Sequence, residues 1–271
     1  VGNNVVRRLA ADGFSVRVLV RPGGVRDERP LAGLRIDRVA TALDDDAGLC
    51  RAVDGVSAVV HAAALVRVGH RHLGAMREIN VDCTRRVARA ARRAGVRLVL
   101  VSSADALGVR PDGEPTDEDT PPEGLPDCPY VLTKREAEAA VLREVDRGLD
   151  AVIVNPVFAL GPWDWKPSSG RMLLEVGAGR GILAPPGSHD FVDVRDVAGG
   201  ILAALDHGRT GRRYILGGHG RSYLEAWRLF ARVTGGRPPL GTAPAALVRA
   251  AGWCGDVAGL LGRRPDQRRG G

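Results

Sequence analysis

Residues 97–103 read Arg-Leu-Val-Leu-Val-Ser-Ser, an apolar run that ends in two hydroxyl side chains. Consecutive apolar residues are typical of a strand that is buried on both faces of a sheet. Further strands of this kind are predicted at 16–20, 36–39, 56–61, 151–154 and 191–194. Helices are predicted between them, at 5–11, 49–53, 72–94, from Pro129 onward and at 197–205. This alternation predicts an α/β fold, a doubly wound parallel sheet with helices on both faces.

After Pro156 the pattern becomes irregular. Residues 161–170 form a turn-rich loop with two tryptophans, and residues 243–261 have the apolar spacing of an amphipathic helix. Asp196 is placed to cap the helix that follows it, and Ser222 opens another helix with a capping box.

A possible proton-transfer site lies in the middle of the chain, where Tyr130 and Lys134 are four residues apart. In a helix this spacing places both side chains on one face, about 6 Å apart along the axis. A phenol with a free pKa of about 10 needs a nearby cation to act as an acid or base at neutral pH, and Lys134 is that cation. Ser103, at the end of the strand quoted above, would hold a substrate oxygen within reach of the phenol.

Composition excludes several classes of protein. The net charge is +7, but the 37 arginines are spread along the chain and aromatic residues make up only 4%, so we do not predict nucleic-acid binding. No apolar run reaches the roughly 18 residues of a membrane-spanning helix. The four cysteines are far apart, as in reduced cytoplasmic proteins, and no histidine or cysteine spacing predicts a metal site. We therefore expect a cytoplasmic protein that acts on a small molecule.

Six short motifs together carry a resemblance to a known family. They are Val59-Val60-His61-Ala62-Ala63-Ala64, Asn80-Val81-x-x-Thr84, Val101-Ser102-Ser103, Tyr130-x-x-x-Lys134, Asn155-Pro156 with Gly161-Pro162, and Phe191-Val192-Asp193-Val194-Arg195-Asp196-Val197-Ala198. Over almost its full length the chain resembles the extended short-chain dehydrogenases/reductases, in the branch that is similar to dihydroflavonol reductases and 3-beta-hydroxysteroid dehydrogenases. The resemblance implies a Rossmann domain that binds NAD(P) and a smaller lobe that binds substrate.

The resemblance also implies roles for individual residues. The catalytic residues would be Ser103, Tyr130, Lys134 and Asn80, with Asn80 holding a water against the lysine. The cofactor-binding residues would be Gly2, Arg21, His61, Ala62, Ala63, Lys134, Asn155 and Pro156. Arg21 directly follows a predicted strand, where arginine suits the 2′-phosphate of NADP and an acidic residue would suit NAD. NADP is therefore the predicted cofactor, with NAD as the alternative.

The resemblance further implies the domain boundaries. Residues 1–160, rejoined by 191–217, would form the Rossmann domain, and residues 161–190 with 218–271 would form the substrate lobe. Gly2 is similar to the last glycine of the Gly-x-x-Gly-x-x-Gly phosphate turn, so the chain is expected to be truncated at its N-terminus and to lack the first strand. A fragment of this kind is expected to bind the dinucleotide poorly and to be inactive. Family members pair through two long helices, which predicts a homodimer when full length, formed by exposed apolar stripes on 72–94 and 130–145.

Three functions stay open on this basis. The first is an NADP-dependent oxidoreductase that transfers a hydride between the nicotinamide and a ketone or secondary alcohol, with Tyr130 as the acid or base. The second is a nucleotide-sugar epimerase or dehydratase, which would use the same residues. The third, from another class, is a non-catalytic NADP-sensing module. The apolar loop with Trp163 and Trp165 favours the first over the second, and the intact tyrosine and lysine disfavour the third.

Overall fold

The computed structural model describes residues 1–23, 29–67, 69–110, 112, 114–123, 128–165, 167 and 169–246. Its helices are α1 Gly2–Ala11, α2 Asp46–Val53, α3 Leu73–Arg77, α4 Cys83–Ala94, α5 Pro129–Val145, α6 Ser169–Gly177, α7 Val194–His207 and α8 Tyr223–Thr234. Its strands are β1 Arg17–Val20, β2 Asp37–Ala40, β3 Ala58–His61, β4 Arg97–Val101, β5 Ala151–Pro156, β6 Phe158–Leu160, β7 Leu183–Ala184, β8 Ser188–Asp193, β9 Arg213–Leu216, β10 His219–Ser222 and β11 Gly241–Thr242. The helix predicted at 243–261 lies largely outside the described residues.

Four parallel strands form the main sheet, in the order β3-β4-β5-β9. Strands β1 and β2 pair in parallel as a separate two-stranded sheet. The backbone of β4 directs Leu98 and Leu100 to a core shared with α2, α4 and α5, whereas Val99 and Val101 point to a core shared with α1 and α7. Helices thus cover both faces, and the predicted doubly wound α/β fold is confirmed. A strand before Val1 stays a prediction.

Chain contacts divide the protein into two units. The larger unit comprises Val1–Ser169 and Asp190–His219, and the smaller one comprises Gly170–His189 and the described residues from Gly220 onward. Residues 161–169, which the sequence assigned to the substrate lobe, therefore group with the larger unit. The reason is local, because the Asn4 side-chain amide of α1 donates a 2.9 Å hydrogen bond to the carbonyl of Pro162.

Two details of the predicted helices are wrong. The segment 72–94 is not one α-helix, because a π-helical turn at Glu78–Asp82 separates α3 from α4. Asp196 is not the N-cap of α7, since Asp193 occupies that place and its carboxylate accepts a hydrogen bond from the Arg195 backbone N–H. The capping box at Ser222 is confirmed.

The predicted apolar stripes on 72–94 and 130–145 are also wrong. Every residue of these two segments is described, and none of their large apolar side chains is exposed. Val87 of the first segment and Val141 of the second pack in the core against the sheet, whereas Leu73, Ile79 and Leu132 are half-buried. Their outer surface carries charged pairs such as Arg77 with Glu136, whose side chains approach to 2.8 Å. A homodimer stays a prediction, but exposed apolar stripes on these two segments no longer support it. No helix in the described parts of the chain is long and apolar enough to cross a membrane.

Candidate active site

The site is assembled where two parallel strands and one helix begin or end together. The register pairs Val101 of β4 with Val154 of β5, so that Ser102, Ser103 and Asn155 follow side by side at the carboxyl edge of the sheet. Helix α5 starts nearby with Pro129 in its first turn, a position where proline is favoured because no backbone donor is needed. These elements are adjacent in space although 53 residues separate their first and last members in the chain.

The structure brings the predicted trio Ser103, Tyr130 and Lys134 together. Ser103 lies close enough to Tyr130 to lower the pKa of its phenol, and the Ser103 hydroxyl donates a 3.2 Å hydrogen bond to the carboxylate of Asp105. The Lys134 ammonium is buried, lies 5.9 Å from the centre of the Tyr130 ring and donates a 3.0 Å hydrogen bond to the carbonyl of Val101. A hydroxyl, a phenol and an ammonium thus meet in one largely dry place, which is the arrangement that proton transfer to or from a carbonyl oxygen requires.

The pKa values differ from the expectation in one respect. Burial raises the pKa of the Tyr130 phenol above its ordinary value, and the nearby Ser103 hydroxyl only partly offsets this. Lys134 was expected to lower this pKa. Its own pKa is instead lowered to about 8 by burial, against the opposing influence of Glu138, so its positive charge is incomplete at mildly alkaline pH.

His61 is the last residue of β3. Its Nε2 lies 2.9 Å from the hydroxyl of Thr84 in α4, and both side chains are buried. Burial, helped by the positive charge of Lys134, lowers the pKa of His61 to about 4, so the imidazole is neutral at physiological pH. A neutral ring held by α4 fits the predicted positioning role better than that of a base.

Asn80 lies in the π-helical turn and reaches inward, where its side chain is 2% exposed. Its amide donates to the carbonyl of Leu65 at 3.0 Å and to the hydroxyl of Thr133 at 3.1 Å, and its oxygen accepts from the backbone N–H of Leu65 at 2.7 Å. Thr133 in turn donates to the backbone carbonyl of Tyr130 at 3.0 Å. Asn80 therefore fixes both the loop after β3 and the first turn of α5. Its predicted water-holding role stays a prediction.

A buried charged network behind Ser103 was not anticipated from the sequence. The Asn155 amide donates to the carbonyl of Ser103 at 2.9 Å and to a carboxylate oxygen of Glu138 at 2.7 Å. The other oxygen of Glu138 accepts from Arg213 Nε at 2.7 Å. Asn155 had been predicted to bind the cofactor directly, whereas its amide is engaged with the protein. The sequence held one indication of this network. Glu138 lies four residues after Lys134, just as Lys134 lies four residues after Tyr130, so all three share one face of the helix.

Most of the predicted cofactor residues lie at or directly after the carboxyl ends of β1, β3 and β5. A Cβ added at Gly2 would lie 3.5 Å from that of Ala62, so the first turn of α1 approaches the end of β3 closely. Ala63 is exposed, and Arg21 is exposed directly after β1 with no hydrogen bond or ion pair to the described residues. Pro156 is the buried last residue of β5.

Three observations fit a bound dinucleotide at this edge. The first turn of α1 presents backbone N–H groups, which favour phosphate. The hydroxyl of Ser102 is buried without a hydrogen-bond partner in the described structure. A cavity of about 90 Å³ borders the start of α1 and is lined by Asn4, Gly161 and Pro162 among others. In the described part of the chain, no group of three or more His, Cys, Asp or Glu side chains could hold a metal ion.

The tryptophan loop lies beside α1. The guanidinium of Arg7 lies 3.3 Å from the centre of a Trp163 ring, and the Trp163 and Trp165 rings are 6.5 Å apart. Trp163 has a φ of 67°, an unusual backbone conformation for a residue with a bulky side chain. The stacked arginine and the hydrogen bond from Asn4 to Pro162 attach this loop to α1.

Comparison with known proteins places this geometry in a family. The model of the NAD dependent epimerase/dehydratase family matches residues 1–217. Sterol demethylase protein B of Methylococcus capsulatus is 37% identical over 247 residues, which are 90% of this chain and 75% of that protein. Ceramide reductase of Caulobacter vibrioides is 30% identical over 277 residues, 98% of this chain and 77% of that protein.

Solved structures agree with the sequence relatives. A nucleoside-diphosphate-sugar epimerase from Pseudomonas aeruginosa is 27% identical and similar in structure with a TM-score of 0.82, over 94% of this chain and 81% of that one. The family match covers most of the chain and includes the strand ends, α5 and the Tyr130–Lys134 pair. The chain therefore belongs to the NAD-dependent epimerase/dehydratase family and is an enzyme of the extended short-chain dehydrogenase/reductase type.

Proposed function

We propose that this protein is an NADP-dependent oxidoreductase that transfers a hydride between the nicotinamide and a ketone or secondary alcohol. The observation that carries the proposal is the placement of the half-buried Tyr130 beside Ser103 and Lys134 at the carboxyl edge of the sheet. In this family of folds, ligands bind at that edge.

In this proposal Tyr130, Ser103 and Lys134 have different roles at the substrate oxygen. A nicotinamide dinucleotide, when bound at this edge, would supply or accept the hydride at the carbonyl carbon. In the direction of reduction, the Tyr130 phenol gives its proton to the carbonyl oxygen and becomes a phenolate, which water then reprotonates. Ser103 donates a hydrogen bond to the same oxygen and orients it. The Lys134 ammonium, 5.9 Å from the centre of the Tyr130 ring, would stabilise the phenolate through its positive charge.

The choice of NADP rests on Arg21. This side chain is exposed, directly follows β1 and forms no contact that would compete with a ligand among the described residues. A guanidinium binds phosphate through charge-assisted and often bidentate hydrogen bonds, whereas the 2′-hydroxyl of NAD offers it little.

The names of two relatives support a lipid ketone as the substrate class. One relative is named for sterols and the other for ceramide. An epimerase or dehydratase of nucleotide sugars is the second candidate, favoured by the structural similarity to a nucleoside-diphosphate-sugar epimerase. The two reactions differ in net chemistry, because an epimerase regenerates its cofactor within each turnover and a reductase consumes it.

The decisive assay measures NADPH consumption with keto-sterols and with 3-keto-sphingoid lipids, by a chain in which the expected first strand and glycine turn are present. Net oxidation of NADPH that depends on the ketone is expected. Binding of NADPH without any turnover would instead favour the sensing module. Conversion of a nucleotide sugar without net cofactor consumption would favour the epimerase.

Cofactor preference is tested with Arg21→Asp. Loss of a phosphate contact together with new repulsion is expected to lower the NADP/NAD ratio of kcat/KM by roughly 10- to 100-fold. Arg51→Asp is the matched control, since it makes the same charge change on the exposed surface of α2. An equal ratio in the parent and in Arg21→Asp would contradict the assignment of NADP to Arg21.

A further inference from the structure

Helix α5 carries a buried carboxylate for which the mechanism above has no use. Tyr130, Lys134 and Glu138 follow one another at intervals of four and therefore share one face of the helix. Glu138 is only 2% exposed. Burying an ionised carboxylate costs several kcal/mol unless it is paired and hydrogen-bonded, so its partners explain why it is there.

Those partners connect a distant strand to the backbone of Ser103. Arg213, at the start of β9, donates to one carboxylate oxygen of Glu138 at 2.7 Å. Asn155 donates to the other oxygen at 2.7 Å and to the carbonyl of Ser103 at 2.9 Å. Because one amide nitrogen serves both acceptors, the position of Glu138 fixes where Asn155 holds the end of β4.

Glu138 also lies one helical turn beyond Lys134 on the same face of α5, and its negative charge acts on the ammonium without a direct ion pair. The other titratable groups near the ammonium are Tyr130 on α5 and His61 of β3. The tyrosine and histidine are both neutral at physiological pH, because burial raises the pKa of Tyr130 and lowers that of His61 to about 4. Burial lowers the pKa of Lys134 to about 8, and the negative charge of Glu138 opposes this decrease.

We propose that Glu138 is a positioning residue that holds Asn155 against the Ser103 carbonyl and keeps the Lys134 ammonium charged, with Arg213 anchoring it from β9. The inference rests on the proposed function, because it assigns Glu138 a role through Ser103 and Lys134. It is tested by a property of the protein without cofactor, so that it can succeed or fail independently of the activity.

The chain has only two lysines, Lys134 and Lys166, which makes a direct titration practical. With ¹³C-labelled lysine, the ε-carbon signals report each midpoint, and Lys166→Arg identifies the signal of Lys134. In Glu138→Gln the Lys134 midpoint is expected to fall by roughly one pH unit, because an opposite charge has been removed. In Arg213→Gln it is expected to rise, because a positive charge has been removed while the carboxylate remains.

Glu144→Gln is the matched control. Glu144 is 1% exposed on the same helix and is also paired with arginines, but it lies ten residues, or about 15 Å, beyond Lys134. Its removal is expected to leave the Lys134 midpoint unchanged. Should Glu138→Gln not fold, Arg213→Gln carries the test, since Arg213 is partly exposed. An unmoved midpoint in the folded variants, or an equal shift in Glu144→Gln, would overturn the inference.

The pH profile of kcat/KM gives a second readout. If the charged ammonium supports proton transfer, activity falls as pH rises through the Lys134 pKa. The alkaline limb of the profile is then expected to move to lower pH in Glu138→Gln and not in Glu144→Gln. A purely structural role for Glu138 would lower activity at all pH values without moving the limb, and would overturn the inference. A shifted NMR midpoint in a protein that reduces no ketone would instead leave the inference standing and reject the proposed function.

Discussion

The two halves of helix α5 bury charge in different ways. Toward its C-terminus, Glu144 is surrounded by three arginines, with contacts of 3.3 Å to Arg89, 2.9 Å to Arg92 and 2.8 Å to Arg147. Burial alone would raise the pKa of Glu144, but these hydrogen bonds together lower it below its ordinary value. Toward the N-terminus, Lys134 is buried with a lowered pKa. The C-terminal half thus favours the charged form of its buried glutamate, whereas the N-terminal half disfavours the charged form of its buried lysine.

The two halves differ in whether their buried polar groups have partners, and this difference separates a structural role from a chemical one. Around Glu144 all the charges are compensated by groups that remain partly in water. Around Tyr130 the protein leaves polar atoms without partners, among them the hydroxyl of Ser102 and the side-chain oxygen of Asn155. Uncompensated groups cost stability, and sites that bind and react with a ligand are where proteins retain such costs.

The largest expected effect belongs to the N-terminal half. Tyr130→Phe removes the proton-donating hydroxyl and keeps the ring, so turnover is expected to fall about 10²- to 10⁴-fold. Stability is expected to remain close to that of the parent. Steady-state kinetics together with urea unfolding measure both. Turnover near the parent value would reject the proposed mechanism.

A change at Lys134 is expected to lower activity and raise stability. The folded pKa of Lys134 is about 8, below the ordinary 10.5, so the unfolded chain binds more protons between these values and stability rises with pH in that interval. Lys134→Met removes the cost of burying the charge. At neutral pH the variant is expected to be more stable by roughly 1–3 kcal/mol, after loss of the hydrogen bond to Val101.

Urea unfolding at neutral pH and near the ordinary lysine pKa checks this prediction. The advantage of Lys134→Met should shrink as pH rises from 8 toward 10.5, since the lysine of the folded parent is then neutral while that of the unfolded chain is still charged. A variant that is less stable than the parent at neutral pH would show that the buried ammonium is compensated as fully as Glu144 is.

The smallest effect is expected at the C-terminal half. Glu144→Gln should lower stability by about 1–2 kcal/mol, because hydrogen bonds to a carboxylate become hydrogen bonds to a neutral amide. Activity should be unchanged. Since the folded pKa is lowered, the difference is complete above the ordinary pKa of a glutamate and disappears as pH falls through the folded value. Chemical unfolding from neutral to acidic pH measures it, and a pH-independent difference would mean that packing, not charge, is lost.

The sequence predicted those parts of the site that local spacing specifies. Ser103 follows its strand directly, and Tyr130 and Lys134 are one helical turn apart, so strand and helix periodicity suffice for them. The pairing of Arg213 with Glu138 spans 75 residues and depends on β9 lying beside β5, which periodicity does not reveal. Asn155 was found as a site residue, but not its attachment to Ser103.

Two features of the folded chain cannot be read from the spacing of apolar residues. The π-helical turn at Glu78–Asp82 leaves composition and apolar spacing almost unchanged, so segment 72–94 reads as one α-helix. The apolar faces of α4 and α5 were expected to meet a second copy, but in the folded chain they meet each other and the sheet. A single sequence shows that a face is apolar without showing what covers it.

Asn80 has a consequence for the loop after β3. Its carboxamide donates to and accepts from the same residue, Leu65, as a neighbouring strand would. Residues 62–67 have no regular secondary structure, and several of them are exposed. The backbone N–H of Leu65 should therefore exchange with deuterium slowly in the middle of a fast-exchanging loop. One side chain of the π-helical turn thus ties the backbone of this loop to the helix that carries it.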